Sequence, residues 1–126
     1  MLFNSWSQAV KNSGDNVFDT TPVAKDEASL LDQYLAGHDF AAETRRAVVQ
    51  DVRKFARWFA SANKEPFQVR RVTIRDITDF RDDLRRNRGQ AVASVNRALV
   101  TLLRFFAWLI EKGHVPQHTW QLWLPD

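Results

Sequence analysis

The sequence predicts an all-α protein, a compact bundle of four to five helices. Apolar residues recur every three or four positions through four separate stretches, Gly37, Gly89 and Gly113 punctuate those stretches, and no segment shows the strict alternation of a strand. The chain has 126 residues, 44% of them hydrophobic, with nine Phe and five Trp. That is enough apolar volume for one buried core without disulfides, and there is no cysteine to form any.

Residues 1–24 mix Asn, Ser, Gly, Asp and Thr with scattered apolar residues, which predicts a flexible leader ending near Pro22. The helical domain is expected over 25–117, with 118–126 opening a linker. A first helix is predicted from Asp26 to Leu35, with Ala28, Leu31 and Leu35 on its inner face, Leu30 and Tyr34 beside them, and Gly37 as its stop. A second, from Ala42 to Ala62, buries Val48, Val52, Phe55 and Phe59. After a connection containing Pro66, Thr73 and Asp76 have capping-box spacing, and Ile77, Phe80 and Leu84 form the inner face of a third helix. Arg85 to Gly89 reads as a basic loop. The fourth helix is predicted from Val95 to Lys112, with Ser94 as N-cap and Gly113 at its end. Its wide apolar face (Leu99, Leu102, Leu103, Phe106 and Ile110, joined by Phe105, Trp108 and Leu109) predicts burial over most of its circumference. The aromatic tail from His114 is read with a short helical turn around Trp120.

Charge is distributed unevenly. The net charge of +3 divides into −5 over residues 1–43 and +8 over residues 44–126, and Arg dominates the basic part. Arg suits phosphate and base-edge recognition better than Lys, so nucleic acid is the leading partner class. Two rows carry this charge on predicted outer faces. They are Arg46, Gln50, Arg53 and Arg57 on the second helix, and Ser94, Arg97, Thr101 and Arg104 on the fourth. Neither row includes an acid. Each blends guanidinium groups with neutral hydrogen-bonding side chains, the mixture that neutralises phosphates and reads base edges.

Catalytic chemistry is not encoded in recognisable form. His38, His114 and His118 fall in predicted loops or ends without metal-ligand spacing, no Gly-rich phosphate loop occurs, and the adjacent carboxylates Asp82 and Asp83 diverge on a helix. Tyr34 is expected to be a partly buried core residue rather than a nucleophile. No cofactor or metal is expected. The N-terminus lacks a signal-peptide pattern, and Arg or Lys interrupts each apolar stretch, so the expectation is a cytoplasmic protein with no membrane partner.

From Phe40 onward the chain resembles the N-terminal core-binding domain of tyrosine recombinases, the phage-integrase family. The resemblance lies in Glu43-Thr44-Arg45-Arg46, in the run from Asp51 to Trp58, and in the run from Val72 to Phe80. It continues in Ser94-Val95-Asn96-Arg97-Ala98-Leu99, Leu103 to Trp108, and Lys112-Gly113, so that it spans about residues 26–116. It implies a SAM-like helical domain forming half of a clamp on the recombination site, with the second and fourth helices across the major groove. Carried onto this chain, the contacts fall on Thr44, Arg46, Gln50, Arg53, Ser94, Arg97 and Thr101, with Arg88 in the basic loop as a phosphate contact. The chain departs from the family in having Val115-Pro116 where Asn-Pro is usual, and in lacking the catalytic Arg, Lys, His-x-x-Arg and Tyr set. It is accordingly expected to be a piece cut near an interdomain linker or a stand-alone relative.

The resulting expectation is a non-enzymatic module of a site-specific recombinase that binds double-stranded DNA and assembles on it with other subunits. Two other classes compete with it. A helical protein-interaction module would use Phe3, Trp6, Phe18, Trp120 and Trp123, and a helix-turn-helix regulator would need shorter turns than those around Pro66 and Gly89.

Overall fold

The computed structural model describes residues 25–116. The predicted leader, its aromatics, His118 and the turn around Trp120 lie outside the described residues. Among the described residues there are four α-helices and no strand: α1 (Lys25–Ala36), α2 (Ala42–Asn63), α3 (Ile74–Asp82) and α4 (Val92–Glu111). The fold class is all-α, as the periodicity predicts. The chain divides into two compact units between Gln68 and Val69.

In the first unit, α1 buries Ala28, Leu31, Tyr34 and Leu35, and α2 buries Val48, Val52, Phe55, Ala56 and Phe59. Phe67, in the connection after α2, is equally buried and stands edge-on to both Phe55 (ring centroids 5.8 Å apart) and Phe59 (5.7 Å). Edge-to-face rings add about 0.5–1.5 kcal/mol per pair beyond the area they bury. Tyr34 is only 4% exposed, and its ring meets those of His38 and Phe40 beyond the helix end. Gly37 closes α1 by donating its N–H to Gln33 O at 3.0 Å, without adopting a positive φ.

α2 ends differently. Its C-cap is Lys64, at φ 57° and ψ 39°, the one non-glycine residue with positive φ among the described residues. An L side chain in the left-handed region is strained by about 1–2 kcal/mol, a cost that glycine avoids. Lys64→Gly is therefore expected to stabilise the protein by about 0.5–1 kcal/mol after its greater unfolded-state entropy is counted. A urea titration that shows no rise in midpoint contradicts this.

The second unit opens with a 3-10 turn (Val69–Arg71) that buries Val69. The stretch between α2 and α3 is buried as well as connecting: Phe67 in the first unit, and Val69 and Val72 in the second, are each at most 1% exposed. The predicted capping box is present. Asp76 N–H donates to Thr73 Oγ1 (3.3 Å), and Thr73 N–H donates to Asp76 Oδ2 (2.8 Å). From α3, Ile77 and Phe80 are buried, followed by Leu84.

Two features of this unit differ from the sequence expectation. α3 runs into a π-helical turn, Asp83–Asn87, closed by Arg88 N–H to Asp83 O at 3.1 Å, and Gly89 (φ 64°) then turns the chain. α4 begins three residues earlier than predicted, so Ser94 is not its N-cap. Ala91 holds that place with an extended backbone (φ −66°, ψ 152°) and no side-chain cap, which puts Ser94 at the third helical position. The start of α4 is set by the turn before it, where Gln90 N–H donates to Leu84 O (3.0 Å) across Gly89. The end matches expectation. Gly113 has φ 82°, its N–H donates to Ile110 O, and His114 N–H reaches back to Leu109 O at 2.9 Å, forming a Schellman motif.

α4 is buried along one face rather than over most of its circumference. Val95, Ala98, Leu102, Phe105, Phe106 and Leu109 are inside, Leu99, Leu103 and Ile110 are half-buried, and Val92 and Val100 are exposed. By length and composition alone the helix could cross a membrane. Within its unit the helix packs one aromatic face into the core and carries Arg97 and Arg104 on the outer side.

Candidate nucleic-acid interface

Amphipathicity positions the side chains of interest. On α2 the buried stripe Val48, Val52, Phe55 and Phe59 fixes the opposite side outward, and that side carries Arg46, Gln50 and Arg57, all exposed. The acids of this helix are Glu43, exposed in the first turn, and Asp51, which is buried. The row thus carries no carboxylate. Arg53 departs from the sequence expectation. It is half-buried, with its Nε inside.

On α4, Ser94, Arg97 and Arg104 are exposed and Thr101 is half-buried. Thr101 Oγ1 donates to Arg97 O at 3.1 Å, which ties the hydroxyl back to its own helix. The only acid of the helix is its last residue, Glu111. Arg46 and Arg104 have no ion pair or hydrogen bond among the described residues, whereas Arg53, Arg57 and Arg97 also interact within the protein.

The two long helices start alike. Each has an alanine N-cap with extended backbone (Ala41 and Ala91) and no side-chain cap, and each has an exposed hydroxyl residue, Thr44 or Ser94, at the third helical position. First-turn N–H groups and short hydroxyls are common donors to phosphate oxygens.

Arg88 belongs to neither row. Its Nε lies 3.0 Å from Asp83 Oδ2 across the π turn, and Asn87 donates to the other oxygen of Asp83 at 2.7 Å. As a phosphate contact it would have to share or leave this partner. Arg85 and Arg86, read from the sequence as part of a basic loop, lie in the π turn, and with Arg81 they line a hollow with Val92 and Asn96 of α4 that sequence reasoning missed. The dibasic Arg85-Arg86 was its only signal, and the widened turn that shapes the hollow has no sequence signature.

The chain matches the family model for the phage integrase N-terminal SAM-like domain over residues 29–113, a span that takes in part of each unit. No curated protein and no solved structure matches it. The matched domain is the non-catalytic part of integrases and a recombinase-related DNA-binding module. With four helices, no strand among the described residues and a match over most of its length, this chain belongs to the phage integrase N-terminal SAM-like domain family.

Proposed function

We propose that the protein is the DNA-gripping module of a site-specific recombinase, and that it holds the recombination site through the outer faces of α2 and α4 in the major groove. The observation that carries this reading is the pair of exposed rows, Arg46–Gln50–Arg57 and Ser94–Arg97–Arg104, from which carboxylates are absent. Surface helices ordinarily mix both signs, as α3 does with its exposed Arg75–Asp79 pair at 3.9 Å. In this reading residues 25–117 are the gripping domain. Strand cleavage belongs to catalytic residues this chain does not supply, and other recombinase subunits meet it on DNA.

The test is titration of the chain against a labelled mixed-sequence duplex at two salt concentrations. About four neutralised phosphates would give a log–log slope near −3.6 and roughly 100-fold weaker binding at 200 mM than at 50 mM salt. Absent binding, or binding indifferent to salt, overturns the reading.

A further inference from the structure

The hollow beside the first turn of α4 lies wholly within the second unit, has a volume of about 490 Å³ and opens to solvent. Arg81, Arg85 and Arg86 line it from α3 and the π turn, and Val92 and Asn96 line it from α4. Its one acid, Asp82, lies 3.4 Å from Arg81 Nε and balances that guanidinium. Arg85 and Arg86 have no ion pair or hydrogen bond among the described residues. Two uncompensated guanidiniums and a carboxamide around one hollow offer forked N–H donors and a net positive field, the chemistry of a phosphate site.

The position of the hollow on α4 says which phosphate. Side chains step around a helix by about 100° per residue. Arg97, Thr101 and Arg104 therefore share one flank of α4, and Val92 and Asn96 share the other. The exposed residues Ala93, Val100 and Ala107 form a crest between the flanks. A helix with its side chains is about 10–12 Å across and the major groove is about 12 Å wide, so a helix seated crest-first has one phosphate backbone along each flank. The crest then faces the base edges, where the thymine methyl is the apolar feature.

We propose that the hollow formed by Arg81, Arg85, Arg86 and Asn96 binds a backbone phosphate of the strand across the groove from the Arg97–Arg104 flank. α4 is then clamped from both sides, and its register along the groove is fixed by two strands. This inference rests on the major-groove seating of α4 proposed above.

The test uses the full chain and its Arg85→Gln/Arg86→Gln variant. Both residues are exposed, so folding is preserved and is checked by an unchanged melting curve. Binding is measured against duplexes in which a single neutral methylphosphonate replaces one phosphate, stepped along each strand in turn. The wild type is expected to lose affinity at positions on both strands. The variant is expected to bind the unmodified duplex roughly 5- to 50-fold more weakly, with a salt slope shallower by about 0.9. It should also become indifferent to the methylphosphonate on one strand while staying sensitive on the other. If the wild type binds but the variant keeps its affinity, slope and two-strand sensitivity, the phosphate site is wrong and the groove reading stands. A variant that loses sensitivity equally on both strands overturns the strand assignment. If the wild type does not bind duplex at all, the groove reading and the phosphate site fall together.

Discussion

Replacing Arg46, Arg97 and Arg104 together with Ala is expected to weaken duplex binding by at least about 100-fold, with the helical signal and melting curve nearly unchanged. All three side chains are exposed on faces opposite or beside the buried stripes of α2 and α4, so no core volume is lost. Exposed substitutions away from caps and cores usually stay within about 0.5 kcal/mol. On the binding side, each arginine removed from a phosphate flattens the salt slope by about 0.9, and one removed from a base edge costs about 1–3 kcal/mol of discrimination. Arg53 is left out deliberately. Its half-buried side chain, with Nε inside, would add a stability loss to any binding loss and confuse the two. The triple change to Lys separates the roles further. It should retain the salt slope, which follows charge, and lose sequence preference, which follows the bidentate fork. Undiminished affinity of the Ala variant would remove these rows from the interface.

The same contrast between faces shows how much was legible in the sequence. The 3.6-residue period revealed Val48, Val52, Phe55 and Phe59, and Ile77, Phe80 and Leu84, because burial imposes that period directly. The Thr73–Asp76 box and the Gly113 cap were legible because both act over three or four residues of adjacent chain. The misplaced start of α4 has another cause. Ser94 is a good N-cap type, but the preceding turn, tied by Gln90 to Leu84, starts the helix at Ala91. Arg88, which the family resemblance makes a phosphate contact in the basic loop, is held by Asp83, five residues away, a spacing that faces apart on a regular α-helix. The π turn brings the two within 3.0 Å, and no composition rule distinguishes that turn from one more turn of α-helix. The charge rows were legible as rows. The depth of Arg53 was not, since a side chain at the edge of a stripe is placed by what packs beside it.

Phe55→Ala is expected to cost about 3–5 kcal/mol, a large share of the roughly 5–15 kcal/mol that holds a domain folded. Phe55 is 0% exposed, and its ring meets those of Phe59 at 6.3 Å, Phe67 at 5.8 Å and Trp58 at 5.8 Å. Truncation removes the transfer energy of the ring and leaves a cavity whose aromatic walls cannot all collapse inward. In urea the midpoint should fall by an amount corresponding to that loss with the slope unchanged. By contrast Val100→Ala, at a side chain 46% exposed, should move the midpoint by no more than about 0.5 kcal/mol. A Phe55→Ala loss below about 1 kcal/mol would mean that the ring cluster is not the core of its unit. The consequence for binding follows from geometry, since Phe55 faces inward on the helix whose outer side carries Arg46 and Gln50. Phe55→Ala should therefore lower apparent affinity only in proportion to the unfolded fraction, with the salt slope of the remaining folded molecules intact. The triple arginine variant should do the reverse, keeping its fold and losing its slope. Comparing the two separates the residues that hold α2 in place from those that use it.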